Sequence, residues 1–304
     1  MPQTERSLTY NQVIEEARQG PSTRKALYRR LQKSLDDKYV AVSFFVMFGH
    51  PRVYLDDGDV DMLEEVLQNT NLDGKQLLLI LNAPGGLALT AERIITICRT
   101  FSPNGYNVVI PKQAKSAATM ICMGAKQLFM SATSELGPID PQINYGNRSW
   151  AAHEIVESYE DLVNKATKTK GNLDPFLQQL ARFDARDIRW IKSTQQLAES
   201  IAVKAMQTGV LKGETPAAIR RKIRPFLNPR FTKSHGRALY HDVASKCGLN
   251  VRLLPVRSDT WRTVWELYVR LSYAVSGGER GKIIESEQDH YMVACPPFPK
   301  KEEE

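Results

Sequence analysis

The chain has 304 residues, of which 41 are basic and 34 acidic, and its formal net charge is +7. A hydrophobic content of 42% is typical of a globular protein and excludes a largely disordered chain. At this length, a charge of +7 permits association with acidic partners but does not indicate nucleic-acid binding by itself.

The cysteines and the apolar runs indicate the cellular compartment. None of the cysteines are paired at metal-ligand spacing, so we predict free thiols in a reducing compartment and no metal site. The sequence MPQTERSLTY is polar, and the longest apolar run, residues 39–48, is far shorter than the about 18 residues of a membrane-spanning helix. We therefore expect a cytoplasmic protein without a cofactor, with peripheral attachment to the inner membrane as an alternative. The cysteines are Cys98, Cys122, Cys247 and Cys295.

The first half of the chain predicts a helical arm followed by an α/β core. Residues 1–38 are polar with helical spacing, and residues 39–160 alternate strand-length apolar runs with helical patterns. This alternation predicts a largely parallel sheet. The predicted strands are VAVSFFVMF, QLLLILN, YNVVIP and KQLFMS. The predicted helices are LDDGDVDMLEEVLQNT with Asp59 as N-cap, LALTAERIITICRTF with Leu89 and Ile94 facing inward, and SAATMICMGA.

Residues 161–304 predict a mainly helical region that packs on the core and carries contacts between subunits. The helix HEIVESYEDLVNKATKTKG leads into it, and HGRALYHDVASKCG and SDTWRTVWELYVRLSYAVSGG follow, the last with Ser258 as N-cap. The segment RGKIIESEQDHYMVAC predicts a terminal strand.

Two turns of the core follow successive predicted strands. Gly85 and Gly86 follow QLLLILN, and Ser116 follows VVIP and begins a helical pattern. In parallel sheets, sites lie at the carboxyl ends of strands. Acyl transfer needs a nucleophile and hydrogen-bond donors for the oxyanion. Ser116 is therefore the candidate nucleophile, and the N–H groups of Gly86 and Ala117 are the candidate donors, because glycine permits close approach and a helix start favours negative charge. An N-cap serine and an ordinary glycine turn are the structural alternatives.

The motifs NAPGG, AKSAATMICMGA and SELGPIDPQ together resemble the Clp/crotonase superfamily. They are most similar to the serine dehydrogenase proteinase family, which is related to the signal peptide peptidases and the Clp-type serine proteases. The resemblance covers residues 39–160. It implies a spiral of ββα units with added N-terminal and C-terminal helices, a nucleophile at Ser116, an oxyanion hole formed by Gly86 and Ala117, a protein or peptide substrate, and assembly into a homo-oligomer.

The sequence offers several candidates for the general base and does not decide between them. The histidine of Clp-type enzymes corresponds in position to Asp140, to which we assign a supporting role together with Gly85. The lysine of signal peptide peptidases corresponds to a window that contains His153, Lys165 and Lys168. Histidine changes protonation near neutral pH, whereas Lys165 would need burial to act as a neutral base. No role is assigned to the other histidines, which are His50, His235, His241 and His290.

The predicted function is that of a serine peptidase of the Clp/signal-peptide-peptidase type. A non-catalytic scaffold with the same fold is the first alternative, because the base is not secure. A crotonase-type acyl-CoA enzyme is less favoured, because the helix after Gly86 offers only Glu92 as a carboxylate. The basic run RRKIRPFLNPRFTK at 220–233 is more typical of a solvated surface than of a nucleic-acid site, so no nucleic-acid partner is expected.

Overall fold

A computed structural model describes residues 10–17, 22–145, 148–232, 234–276 and 279–298. Parts of the predicted arm at 1–38 and of the C-terminal tail lie outside these ranges, as does the end of the basic run. The strands are β1 (Tyr39–Val46), β2 (Gln76–Asn82), β3 (Asn107–Ile110), β4 (Gln113–Ala114), β5 (Gln127–Met130), β6 (Glu135–Leu136), β7 (Gln142–Tyr145), β8 (Arg148–Ala151), β9 (Val251–Leu253), β10 (Arg280–Ser286) and β11 (His290–Ala294).

The helices are distributed along the whole of the described chain. They are α1 (Tyr10–Ala17), α2 (Ser22–Ser34), α3 (Gly58–Gln68), α4 (Ala88–Phe101), α5 (Ala117–Met123), α6 (Ala152–Lys168), α7 (Asp174–Leu180), α8 (Ala185–Gln207), α9 (Pro216–Lys222), α10 (Arg224–Leu227), α11 (Pro229–Thr232), α12 (His241–Lys246) and α13 (Asp259–Ser276).

Seven strands of the described chain form the central sheet, in the order β11-β10-β1-β2-β3-β5-β9. The strands from β1 to β9 in this order are parallel, and β10 and β11 are antiparallel at one side. The predicted α/β class is confirmed, although the sheet is mixed. Since β9, β10 and β11 belong to residues 161–304, the predicted helical region also contributes strands at both sides of the sheet.

Continuous apolar sequence explains the centre of the sheet. Within QLLLILN, every residue from Leu77 to Asn82 is buried, as expected for a strand covered on both faces. Helices α2 and α13 pack on each other and on β1, while α4, α5 and α8 pack together. The carboxyl ends of β2 and β3 are therefore held side by side within a well-packed core.

Three local predictions have different outcomes. Ser258 caps α13 as predicted, because its Oγ accepts a hydrogen bond from the Trp261 N–H at 3.2 Å. The prediction for Asp59 was wrong, since α3 begins at Gly58 and Asp59 lies in its first turn. Leu89 was also predicted wrongly, since half of its surface is exposed.

Asp59 instead belongs to a buried ion pair. Its carboxylate lies 2.9 Å from Lys282 Nζ on β10, and burial raises its pKa to about 6 although the Lys282 charge opposes this shift. A second buried pair ties the N-terminal helix α2 to the same strand, with Arg24 bonded through two nitrogens to Glu285. These pairs fix β10 against α2 and α3, and thereby fix one side of the sheet.

Short strands leave the main sheet next to the predicted site. Strand β4 follows β3 and pairs in parallel with β6, and Ala83 forms a bridge with Ala114. The peptide that follows β2 is thus joined to the peptide that precedes Ser116. Strands β7 and β8 form a separate antiparallel pair just after Asp140.

Candidate active site

Ser116 occupies a strained turn between β4 and α5. Its φ is 52° and its ψ is −121°, a backbone conformation that costs a non-glycine residue about 1–3 kcal/mol. The residue stands at the N-cap position, but its hydroxyl makes no capping hydrogen bond. Ser116 therefore does not cap the helix. A serine on a sharp strand-to-helix turn is typical of α/β hydrolases.

Backbone hydrogen bonds hold this turn in place. The Lys115 N–H donates to the Ala83 carbonyl at 3.0 Å, and the Ala83 N–H donates to the Gln113 carbonyl at 3.2 Å. On the helix side, the Ala118 N–H donates to the Lys115 carbonyl at 2.9 Å. These bonds fix the residues on both sides of Ser116, so the surrounding structure maintains the strained conformation.

The glycine turn packs directly against Ser116. Gly85 has a φ of 107°, and a Cβ added there would lie 2.6 Å from Ser116 Cβ and 3.2 Å from the Ala117 nitrogen. A Cβ added at Gly86 would lie 2.1 Å from the Leu55 carbonyl oxygen. Glycine is thus required at both positions, by the serine turn at one and by the Leu55 backbone at the other.

Two backbone donors stay free beside this contact. The Leu55 N–H donates to the Gly85 carbonyl at 2.8 Å, and the Leu55 carbonyl accepts from the Leu87 N–H at 2.9 Å. These bonds occupy the Gly85 carbonyl and the Leu87 N–H of the glycine turn. In the described part of the chain, neither the Gly86 N–H nor the Ala117 N–H has an acceptor. Gly86 is exposed, and Ala117 begins α5. Both predicted donors are therefore unpaired, and both adjoin the contact between Gly85 and Ser116.

A buried carboxylate binds a histidine that the sequence left without a role. Asp140 Oδ1 lies 3.0 Å from His235 Nδ1, and Asp140 Oδ2 accepts a hydrogen bond from Gln142 Nε2 at 3.0 Å. Only 1% of the Asp140 side chain is exposed, compared with 27% of the His235 side chain. A carboxylate on Nδ1 fixes the orientation of an imidazole and leaves Nε2 free to exchange a proton.

The backbone places this pair on a segment adjacent to the serine turn. Leu136 and Leu239 exchange hydrogen bonds of 2.9 and 3.0 Å, so the loop that carries His235 runs beside β6. Strand β6 pairs with β4, the strand that precedes Ser116. A Cβ at Gly137 would lie 2.8 Å from Lys115 Cδ, which shows how closely this segment packs against the serine turn. Asp140 follows Gly137 by three residues.

The residues predicted as possible bases are placed differently. His153 is the second residue of α6, and its Nε2 lies 3.3 Å from Glu157 Oε2. Lys165 and Lys168 are exposed in the last turn of the same helix, so the burial that a neutral lysine base needs is missing. At about 1.5 Å per residue, Lys165 lies roughly 18 Å along the helix from His153.

His235 was not predicted as a site residue, because the segment HGRALYHDVASKCG was predicted to be helical. In the structure only His241–Lys246 is helical, and residues 234–240 form a loop. His235 and Asp140 are 95 residues apart, so no local spacing signals the pair. The one local sign is Gly236, since glycine after a polar pair favours a turn over a helix.

The described residues also lack two further features. No group of three or more His, Cys, Asp or Glu side chains there is arranged to hold a metal ion. Within the same residues, none of the helices combines the length and the apolar character needed to cross a membrane.

A strained serine, free backbone donors and a carboxylate–histidine pair on an α/β sheet are typical of a serine hydrolase. Residues 22–172, about half of the chain, match the family described as ClpP-like SDH-type serine proteinases. Over this region the chain belongs to that family, and the resemblance predicted from the motifs is confirmed. The family supports a serine peptidase, and hence a hydrolase, at the family level.

Two curated relatives come from the archaeon Methanocaldococcus jannaschii. The uncharacterized protein MJ1495 is 33% identical over 98 residues, which cover 32% of each chain. The uncharacterized protein MJ0137 is 34% identical over 86 residues, which cover 28% of each chain. The chain thus spans about a third of the length of the curated relatives that it matches.

The contact between Gly85 and Ser116 predicts an unequal response to added methyl groups. Gly85→Ala should lower the free energy of unfolding by about 2–4 kcal/mol, because a positive φ and an overpacked contact add together. Gly74→Ala, also at positive φ but with no atom within 4 Å of the new Cβ, should cost only about 1 kcal/mol. Urea unfolding measures both, and equal losses would contradict the contact.

The strain at Ser116 predicts that glycine gives a more stable protein than alanine at this position, which reverses the order usual within a helix. Ser116→Gly should be more stable than Ser116→Ala by about 1 kcal/mol or more, because glycine accepts this backbone conformation without a Cβ penalty. The control is Ser193, exposed within α8, where Ser193→Gly should be about 1 kcal/mol less stable than Ser193→Ala. The same sign at both positions in urea unfolding would argue against strain.

Proposed function

We propose that this protein is a serine peptidase in which Ser116 is the nucleophile, His235 is the general base and Asp140 orients His235. The observation that carries this proposal is the pairing of His235 Nδ1 with the buried Asp140 carboxylate, on a segment held beside the serine turn. The family match over residues 22–172 supports a peptidase as the class of enzyme.

The proposed reaction begins with attack of Ser116 Oγ on the carbonyl carbon of a peptide bond. His235 Nε2 takes the hydroxyl proton as the new C–O bond forms, and the Asp140 carboxylate stabilises the resulting imidazolium. The N–H groups of Gly86 and Ala117 donate to the oxyanion, where one such donor is worth about 10²–10³ in rate. When the C–N bond breaks, His235 returns the proton to the leaving amine.

Hydrolysis of the acyl-enzyme repeats these roles with water. His235 Nε2 takes a proton from water as the water oxygen bonds to the acyl carbon, and the same N–H groups stabilise the second oxyanion. The C–O bond to Ser116 then breaks, and His235 gives its proton to Ser116 Oγ. The sequence regenerates the enzyme and releases a carboxylic acid.

This proposal moves the base from the positions favoured by the sequence. His153 lies next to Glu157, which is 28% exposed, whereas Asp140 is almost fully buried and has both oxygens occupied. A buried carboxylate fixes an imidazole more firmly than an exposed one, which water and salt weaken. Lys165 is exposed. We therefore assign His153 and Lys165 no direct part in proton transfer.

The ββα spiral, the substrate class, the assembly and the location are also proposals. Strands β3 and β5 are each followed by a short strand outside the main sheet, β4 and β6, and β2 is followed by the bridging residue Ala83. This recurrence supports a spiral of ββα units. From the family match we also propose a protein or peptide substrate and assembly into a homo-oligomer. The cytoplasmic location, with or without peripheral attachment to a membrane, is proposed from the sequence.

A fluorophosphonate probe tests the proposed roles, because it reacts with activated serines. We expect the wild-type protein to be labelled at Ser116, with no labelling of Ser116→Ala. His235→Ala and Asp140→Asn should slow labelling by about 10²-fold or more, as expected when a base or its orienting carboxylate is lost.

His153→Ala and Lys165→Ala are the matched controls and should label at close to the wild-type rate. Peptide mapping of the labelled protein identifies the modified residue. Labelling that survives His235→Ala but is lost in His153→Ala would overturn the assignment of the base. Labelling at a different residue would overturn the assignment of the nucleophile.

A further inference from the structure

A cavity of ≈ 700 Å³ lies beside the carboxylate that orients His235. One wall is the segment Ile139–Pro141, and the others come from α6, α8, α9 and α10. We call this cavity the basic pocket, because it is lined by four lysine and arginine residues, Lys192, Arg220, Arg221 and Arg224. Its volume falls within the range of about 300–1,000 Å³ that is usual for ligand sites.

Two of these cations are already neutralised. Lys192 Nζ lies 2.6 Å from Glu160 Oε1, and Arg220 pairs with Glu199. All four of these residues line the pocket, so the two pairs contribute no net charge to it. An incoming ligand would meet the remaining charges.

Arg221 and Arg224 are the remaining cations. In the described part of the chain neither has a carboxylate partner, and both are exposed. The Arg224 guanidinium carbon lies 5.0 Å from the centre of the Phe231 ring, a cation–π contact that restrains its orientation without using its charge. The basic pocket therefore has two arginines whose charge is unmatched.

Asp140 does not neutralise these arginines. One of its oxygens contacts His235 and the other accepts from Gln142, and only 1% of its side chain is exposed. Both oxygens thus already have partners within the protein. The arginines stay open to an anion from outside the chain.

The pocket is connected to the segment that carries Asp140 through the backbone. The Ile139 N–H donates to the Phe226 carbonyl at 2.8 Å, so α10 is fixed to the residue that precedes Asp140. This bond holds the backbone of α10, which carries Arg224, beside the segment that carries Asp140. A group bound in the pocket would therefore lie beside Asp140, the residue proposed to orient His235.

We propose that the basic pocket binds a carboxylate of the peptide substrate, through Arg221 and Arg224. Guanidinium groups match the planar geometry of a carboxylate and form strong charge-assisted hydrogen bonds with it. The carboxylate belongs either to an acidic side chain or to the C-terminus of the peptide. This proposal rests on the proposed peptidase function, since it names the substrate class of that site.

Binding to the inactive Ser116→Ala protein tests the pocket without any need for catalysis. Three small probes separate the two sources of the carboxylate. N-acetyl-glutamate α-amide carries only the side-chain carboxylate, N-acetyl-glutamine carries only the terminal one, and N-acetyl-glutamine α-amide carries neither. NMR titration at constant ionic strength measures the dissociation constant of each.

At least one charged probe should bind more tightly than the uncharged amide by a factor of about ten or more. This factor corresponds to about 1.4 kcal/mol, a size expected for a charge-assisted contact. Preference for the first probe would assign the pocket to acidic side chains, and preference for the second would assign it to the C-terminus. The double variant Arg221→Gln/Arg224→Gln should remove this preference. The control Arg189→Gln, at an exposed arginine of α8 outside the pocket, should keep it.

Labelling of the protein with Ser116 restored separates failure of the pocket from failure of the peptidase. Fluorophosphonate labelling of Ser116 in the wild-type protein and in Arg189→Gln tests the peptidase by itself, because this reaction does not need a substrate carboxylate. Equal binding of all three probes, or a preference that survives the double substitution, would contradict carboxylate binding by the pocket. If Ser116 is still labelled in that case, the proposed peptidase function stands. If the wild-type protein is not labelled but the carboxylate preference is observed, the proposed peptidase function is contradicted and carboxylate binding by the pocket is supported.

Discussion

The close contact between the glycine turn and the serine turn is the constraint on which the rest of the site depends. Strands β2 and β3 are neighbours in the sheet, and β4, which lies between β3 and Ser116, is bridged to Ala83 just after β2. The glycine turn and the serine turn therefore meet. They meet so closely that a Cβ at Gly85 would overlap Ser116. The same contact leaves the Gly86 and Ala117 N–H groups unpaired in the described structure. Absence of a side chain at Gly85 thus permits the close approach of the two turns on which the proposed oxyanion hole depends.

A second constraint joins the sheet to the C-terminal half of the chain. Backbone hydrogen bonds at Leu136 and Ile139 bind the segment before Asp140 to Leu239 and Phe226. This connection brings His235 to Asp140, and it also places α10 and its arginine beside the same carboxylate. The region added to the α/β core therefore has a direct role in the proposal. It supplies the proposed base and the residues proposed to recognise the substrate.

The sequence predicted the parts of the molecule that depend on local pattern. Continuous apolar runs identified β2 and β3, and the position of Ser116 after a strand indicated a turn at a sheet edge. The Asp140–His235 pair depends on two segments 95 residues apart, and a helical pattern hid the loop that carries His235. The partner of Asp59 was hidden for a related reason, because Lys282 lies on a distant strand. Tertiary contacts between ionisable side chains leave little trace in local sequence.

The crystal structure of the fluorophosphonate adduct tests the central claim most directly, because its tetrahedral phosphorus imitates the intermediate of acyl transfer. The account predicts phosphorus bonded to Ser116 Oγ, with the phosphonyl oxygen about 2.7–3.1 Å from the nitrogens of both Gly86 and Ala117. It also predicts His235 Nε2 within hydrogen-bond distance of Ser116 Oγ. An adduct whose phosphonyl oxygen faces solvent, or whose serine is approached by His153 instead of His235, would contradict the account.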